Sequence, residues 1–346
     1  MNKKSILDKI GALVLPTRDE RISKMDVYLS FSFLSFLPNK AHIYLVWHDL
    51  LPLKMYDLYI KTDNSLAGKI FNLNPLMTKI GKHIKKIQLN SIINKAEVLI
   101  ADSDYTRDDV IKTFKNVNPR VEVAKLGVST ITAKTNGSHA GELPLGKYLL
   151  YVGGADSKRE IHLLIKAFGE LRNNNIDIKL VLAGGDFYSV HEMNNSLVKE
   201  AILNSGFYDD IILFGYITDE FKQKLYKNSF AFIYPTLFEG FGLPVLEAML
   251  YKTLILTYNN TSLPEVGQDY AFYVDNGNQM AEQITIMLAM SDEERSQRIE
   301  AAYKYASRFT WDKTAQRYYE IIMSDKAYEK LESWKWYENC NQFCDV

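Results

Sequence analysis

Short blocks of continuous apolar residues alternate along this chain with stretches where apolar residues recur every third or fourth position. The blocks are Asp26–Ser30, His42–Trp47, Glu97–Ala101 and Val121–Lys125, then Tyr148–Val152, Ile178–Ala183, Ile211–Phe214, Phe230–Tyr234, Leu254–Tyr258 and Ala271–Val274. Continuity, rather than alternation, marks strands that are covered on both faces. Between them, Ile161, Leu164, Ile165, Phe168 and Leu171 form one helical stripe, and Trp311, Ala315, Tyr318, Tyr319 and Ile322 form another. Strand–helix alternation predicts an α/β fold with parallel sheets and right-handed crossovers. The polar stretch Ser129–Lys147, without periodicity and bearing Gly and Ser, separates the two series. The expected organisation is an N-terminal domain over 1–130, a linker over 131–146 and a C-terminal domain over 147–317. A last helix at about 318–340 is expected to return to the first domain.

Composition adds bounds. A chain of 346 residues exceeds one typical core and agrees with two domains. Hydrophobic residues at 47% and charged residues at 24% describe a globular protein, and a net charge of -1 gives no basic field for nucleic acid. The apolar run Ala12–Leu15 is too short for a signal peptide, and no segment reaches membrane-spanning length. Cys340 and Cys344 are the only cysteines. No Cys/His set has zinc spacing, so a reduced cytoplasmic protein is expected, with a disulfide between the two as the alternative.

The densest candidate chemistry lies in Pro235-Thr-Leu-Phe-Glu239-Gly-Phe-Gly-Leu-Pro244-Val-Leu-Glu247. A strand runs in, glycines and prolines interrupt it, and a helix runs out. Pro244 suits the first helical position. Amides at Gly242 and Leu243 would then face outward at the positive end of the helix dipole, an anion site suited to a diphosphate. The competing reading is a tight turn with Glu247 complementing the dipole. A second motif, Gly153-Gly154-Ala-Asp-Ser-Lys158-Arg159-Glu160, places two bases at a helix start, where the dipole opposes them. Either they bind a departing diphosphate or they are solvated charges. His48 follows an apolar strand at the edge where α/β folds bind ligands, although a hydrogen-bonded loop His fits too. Asp102-Ser-Asp104 imitates a metal-binding D-x-D, but its position before a helix predicts capping.

These segments together resemble retaining glycosyltransferase family 4, through the Glu-x7-Glu run Glu239–Glu247, Leu180-Val-Leu-Ala-Gly-Gly, Phe214-Gly-Tyr-Ile-Thr-Asp-Glu, Leu263-Pro-Glu-Val-Gly and Phe309-Thr-Trp-Asp-Lys-Thr-Ala. His48-Asp49-Leu and Ala101-Asp-Ser103 resemble landmarks of its N-terminal domain. The resemblance covers about Asp26 to Tyr319 and is more specific in the C-terminal half. It implies a GT-B fold of two facing Rossmann-like domains and transfer of a sugar from a UDP- or GDP-linked donor to a glycan or polyprenyl-diphosphate-linked glycan, as in bacterial surface polysaccharide assembly. By position, Glu239 and His48 would serve the reacting sugar. Lys158, Arg159, Gly242 and Leu243 would hold the diphosphate, and Glu247 the ribose. Tyr216 and Ile217 would hold the base, and Gly153, Gly154 and Phe241 would shape the donor loop. No metal or other cofactor is implied, since fixed cations and a helix terminus carry the charge.

Two departures accompany the resemblance. The family's Arg-Lys-Asn reads Lys158-Arg159-Glu160, which swaps the bases and adds an acid. Only about 25 residues precede the strand at Asp26–Ser30, so a shortened N-terminal domain is expected. Ile6, Leu7, Ile10, Leu13 and Val14 would supply a replacement helix. That shortening motivates an alternative, a non-catalytic GT-B protein that binds nucleotide sugars or scaffolds a partner. An epimerase would lack the run around Glu239, and a phosphorylase would be longer. Finally, Asn64–Ala96 contains no acidic residue. At helical spacing Leu76, Ile80, Ile84 and Ile87 share one face, and Lys79, Lys82, Lys85 and Lys86 the other. The apolar face is expected to pack on the core, and the basic face either to be solvated or to meet an anionic membrane, giving a cytoplasmic protein peripheral to the inner membrane face.

Overall fold

The computed structural model describes residues 15–16, 27–30, 36–37, 42–57, 75–114, 116–129 and 142–324. The helix predicted through Ile6 and Val14, most of the linker, residues 325–340 of the last predicted helix and both cysteines lie outside them. The N-terminal domain carries β1 (Leu15–Pro16), β2 (Val27–Ser30), β3 (Phe36–Leu37), β4 (His42–Trp47), β5 (Val98–Ala101) and β6 (Arg120–Val123), with α1 (Leu51–Lys54), α2 (Pro75–Ile93) and α3 (Asp104–Thr113). Strands β2-β4-β5-β6 form one parallel sheet in that order, while β1 and β3 pair separately.

The C-terminal domain contains β7 (Tyr148–Val152), β8 (Lys179–Ala183), β9 (Ile211–Phe214), β10 (Ala231–Tyr234), β11 (Leu254–Tyr258) and β12 (Phe272–Val274). Its helices are α4 (Ile161–Asn173), α5 (Ser196–Leu203), α6 (Asp219–Asn228), α7 (Leu243–Leu250), α8 (Leu263–Gly267), α9 (Met280–Leu288) and α10 (Asp292–Ala306), followed by α11 (Trp311–Met323). The six strands are parallel in the order β12-β11-β10-β7-β8-β9. Strand order reverses between β7 and β10, and in such sheets ligands seat beyond the carboxyl ends at that reversal. The two glycine-bearing motifs leave the sheet from these two strands, which is why distant segments of sequence meet.

The inner strands are buried on both faces, as expected, whereas β6, β9 and β12 at the sheet edges are largely half-buried. On β4, Ile43, Leu45 and Trp47 join Leu50, Leu53, Leu89, Ile93 and Val110, whereas Tyr44 and Val46 meet Val98, Ile100 and Ile321 from α11. The last helix thus returns to the N-terminal sheet: Thr314 Oγ1 donates to Lys125 O at 2.8 Å and Arg317 pairs with Glu122 at 2.8 Å. The α4 stripe from Ile161 to Leu171 is buried as predicted. The α11 stripe is borne out in part: Tyr318 and Ile322 pack half-buried on the N-terminal core beside Thr314 and Ile321, while Trp311 and Tyr319 are exposed. The sheet it meets is that of the other domain, and this set the inward face.

Helix α2 is the larger correction. Its inner contacts are Leu89, Ile92 and Ile93, at its C-terminal end. The predicted core face of Leu76, Ile80, Ile84 and Ile87 is exposed, whereas Lys82 and Lys85 are half-buried, with the Lys85 pKa lowered by burial. The helix joins the core through a second apolar set at its far end, so the stripe that dominates its sequence is turned outward. Among the described residues no helix is long and apolar enough to cross a membrane.

Candidate active site

The segment after β10 folds back before α7 begins. Gly242, the residue before α7, has φ +109°, a left-handed conformation that glycine adopts without strain. Pro244 falls at the second helical position, not the first, because Leu243 already has helical geometry. No side chain caps the first turn of α7, which begins four residues after Glu239 and carries the positive end of the helix dipole. Ser262 Oγ donates to the carbonyls of Glu239 (3.0 Å) and Phe241 (2.8 Å), which fixes the loop from below. Phe241 is buried and does not line an open surface.

Glu239 is the hub. Its Oε1 accepts from Tyr234 OH at 3.0 Å and Thr236 Oγ1 at 3.1 Å, and pairs with Lys158 Nζ at 3.1 Å and Arg159 Nη2 at 3.3 Å. The two bases keep only 16% and 14% of their side-chain surface, which rules out a pair of solvated charges. They are held there by backbone: Leu237 N bonds to Lys158 O at 2.9 Å, and Glu160 N to Pro235 O at 2.9 Å. Burial opposes the Arg159 charge, yet Tyr234, Tyr151 and Glu239 beside it raise its pKa. The extra acid Glu160 turns away, accepting from Tyr258 OH at 2.5 Å. Gly153 and Gly154 follow β7, where Arg159 donates to Tyr151 OH at 3.2 Å and Tyr151 OH donates to Gly154 O at 2.6 Å.

Glu247 sits one turn along α7, with Lys222 Nζ at 3.6 Å, and burial raises its pKa against the pull of that lysine. Glu239 and Glu247 therefore face different partners. Beyond β9, Tyr216 is exposed and half-buried Ile217 packs on the C-terminal core. The Tyr216 ring lies over Gly185, with Tyr188 at 6.3 Å between centroids. Tyr188 escaped the sequence reading; an aromatic soon after a strand-ending Gly-Gly pair was the available signal.

The N-terminal domain closes the cleft. His48 Nδ1 meets Asp102 Oδ2 at 2.9 Å. Asp102 was expected to help cap α3; of the two, Ser103 does that, accepting from Thr106 N at 3.0 Å, while Asp102 turns to His48. Burial raises the Asp102 pKa, and the His48 hydrogen bond counters it. Asp49, adjacent in sequence, accepts from Leu51 N at 2.8 Å; burial raises its pKa too, and Lys158 across the cleft opposes this. Gly240 presses on this edge so closely that a Cβ there would lie 1.9 Å from His48 O. Its carbonyl accepts from Ser103 Oγ (2.6 Å) and Thr106 Oγ1 (3.0 Å). Glu265 of the C-terminal domain in turn accepts from the amides of Asp104 (3.1 Å) and Tyr105 (3.0 Å) at the start of α3, and Lys125 binds it at 2.8 Å. The arrangement combines a carboxylate held by two cations, a helix N-terminus and an aspartate-anchored imidazole, all beyond the strand-order reversal. It is equipped to stabilise negative charge leaving from, and positive charge developing on, one small substrate.

Residues 141–305 match the model of the family described as glycosyl transferases, group 1. Over 233 residues the chain is 27% identical to O-antigen chain mannosyltransferase B of Escherichia coli, covering 65% of this chain and 60% of that one. It is 26% identical over 207 residues to the alpha-1,3/1,6-mannosyltransferase ALG2 of Yarrowia lipolytica, covering 50% of this chain and 45% of that one. The chain thus spans less than two thirds of both relatives. The crystal structure of Alr3699/HepE of Anabaena, in complex with UDP and glucose, superposes with a TM-score of 0.60 at 16% identity, over 82% of this chain and 72% of that one.

Proposed function

We propose, for a chain whose fold is GT-B and whose residues 141–305 belong to the group 1 glycosyl transferases, that it moves a sugar from a nucleoside-diphosphate donor to a glycan hydroxyl with retention of configuration. The observation that carries this reading is Glu239, bound by Lys158 and Arg159 beside the open N-terminus of α7 and facing the His48 edge. In this proposal the acceptor oxygen attacks the anomeric carbon on the face from which the diphosphate departs. The carbon–oxygen bond to phosphate breaks, the new glycosidic bond forms, and a departing phosphate oxygen takes the acceptor's proton. Lys158, Arg159 and the amides near Leu243 neutralise the leaving diphosphate. Glu239 stabilises the positive charge at the sugar, His48 holds a sugar hydroxyl, and Glu247 holds the ribose. Tyr216 and Ile217 hold the base. Fixed cations supply the charge without a metal.

Both curated relatives above are named mannosyltransferases, which supports mannose as the sugar; the O-antigen relative supports a bacterial surface glycan as the acceptor. A lipid-linked acceptor would place the reaction at the inner face of the cytoplasmic membrane. The test is transfer from UDP- and GDP-sugars to polyprenyl-diphosphate-linked oligosaccharide, with the product anomer read by NMR and chelator added in one arm. Transfer should proceed with chelator and retain configuration, and Glu239→Ala should lower it by roughly a hundredfold or more while leaving the fold intact. A parallel thermal-shift panel identifies the base, since a ligand at 100 times its Kd stabilises by about 2.7 kcal/mol. Donor binding with no transfer or hydrolysis would favour a non-catalytic binding protein, and turnover unchanged by Glu239→Ala would remove the mechanism.

A further inference from the structure

Where the chain crosses between its domains, a cavity of about 590 Å³ opens between the end of β6 and the loop that joins α10 to α11. Four bases line it, Lys125, Arg308, Lys313 and Arg317, against one acid, Asp104. Lys125 pairs with Asp104 at 3.3 Å and with Glu265 at 2.8 Å, and Arg317 pairs with Glu122 at 2.8 Å, so these two charges are offset within the protein. Arg308 and Lys313 are exposed and have no acidic partner among the described residues. Lys313 Nζ donates to Arg308 O at 3.0 Å, which holds the two bases at the same rim. The floor is aromatic: the Tyr305 and Phe309 rings meet edge to face at 5.1 Å. Burial raises the Tyr305 pKa while Lys125 and Arg308 both oppose that rise, so bases from the two sides of the cavity act on one hydroxyl. We infer that this cavity binds a phosphate group, free or carried on a sugar, and that the bound phosphate ties the two crossing segments together.

Charge and size select that occupant. The surplus of positive charge repels a metal ion and gives a neutral sugar nothing to answer it. The volume falls in the range of small-ligand sites. A phosphate monoester brings a charge of about -1.5 to -2 and three strong acceptor oxygens, enough to meet an Arg fork and a Lys ammonium together. A carboxylate carries one charge and two oxygens. The cavity also straddles the crossing itself. Val128 N donates to Phe309 O at 3.1 Å between the same two segments, with Lys125 before Val128 on one and Arg308 before Phe309 on the other. An anion held by both bases would therefore add a second tie beside that hydrogen bond. None of the lining residues is a partner of Glu239, whose bases are Lys158 and Arg159. The inference thus holds whether or not the chain transfers a sugar.

The full chain is tested by calorimetric titration with inorganic phosphate, glucose 6-phosphate and glucose, at about 0.15 M salt so that loose charge attraction is screened. The parent is compared with Arg308→Gln plus Lys313→Gln, and with Lys158→Gln, which weakens the separate cation pair at Glu239. Both phosphates should bind Lys158→Gln at one site, and the hinge variant should lose that site's affinity by about tenfold or more. Glucose should give no heat. Tighter binding of glucose 6-phosphate than of phosphate would identify a sugar phosphate as the occupant, and equal binding would identify free phosphate. Arg308 and Lys313 are exposed, so an unchanged melting temperature without phosphate verifies that the hinge variant folds. Hydrogen exchange supplies a second readout: phosphate should slow the Val128 amide in the parent and leave it unchanged in the hinge variant. Silence with both phosphates would overturn the inference, as would binding that Lys158→Gln abolishes and the hinge variant keeps. Glucose binding as tightly as its phosphate would do the same, and binding without slower exchange at Val128 would overturn the tie.

Discussion

Glu239 and Asp102 are both carboxylates at the cleft, but their surroundings differ. Glu239 is offset by two cations and two hydroxyls. Asp102 is almost wholly buried, has His48 as its partner, and leaves Oδ1 without a hydrogen bond. Burial raises its pKa above the ordinary 3.8. The folded chain therefore holds that proton to higher pH than the unfolded chain does. Across the window from 3.8 up to the raised folded value, stability is lost as pH rises. Asn at this position has no proton to lose, so Asp102→Asn should gain stability relative to the parent as pH climbs through that window, seen as diverging melting temperatures. The same variant should lower sugar transfer by about tenfold, the rate equivalent of one charge-assisted hydrogen bond to the imidazole.

The strand–loop–helix unit from β10 to α7 works as one element. Tyr234 at the strand end, Thr236 in the turn and Ser262 beneath the loop fix Glu239, while Gly242 starts the helix. Gly240 and Phe238, the latter against Tyr105, bring this element onto the other domain. Adding a methyl group with Gly240→Ala forces the loop off His48 O, at a cost of about 1–3 kcal/mol. Transfer should fall by roughly a hundredfold, since a shift of about an ångström at the reacting group suffices. Affinity for the nucleoside alone, measured by calorimetry, should change little, because Glu247 and Lys222 pair with each other and not with the Gly240 loop. Equal rates in parent and variant would show that the close approach does not set the reacting geometry.

At the scale of the molecule, each domain completes the other. Helix α3 of the N-terminal domain has its first amides capped by Glu265 of the C-terminal domain, and its Ser103 and Thr106 hold the carbonyl of Gly240. The chain crosses between domains near Val128 and Phe309, which bond to each other at 3.1 Å, and α11 seals the return. Glu265→Ala removes two hydrogen bonds to a charged acceptor and the Lys125 ion pair. Loss of about 1–3 kcal/mol from the closed arrangement should open the cleft. Small-angle scattering should then show a larger radius of gyration, with the Michaelis constant for acceptor raised and little change in donor affinity. An unchanged radius together with unchanged kinetics would mean that the latch does not control closure.

The apolar blocks by themselves determined the two parallel sheets, because a strand buried on both faces has no polar side to display. The glycines and prolines around Glu239 determined a strand-to-helix turn, because few other residues accept its backbone. Local spacing also put Glu239 in the turn and Glu247 on the helix that follows. Tertiary structure alone decided the rest. The pairing of Asp102 with His48, the capping of α3 by Glu265 and the seat of Gly240 against His48 all join residues far apart in sequence. The outward turn of the α2 stripe was likewise invisible to periodicity, which shows that a helix has an apolar face but not which surface that face will meet.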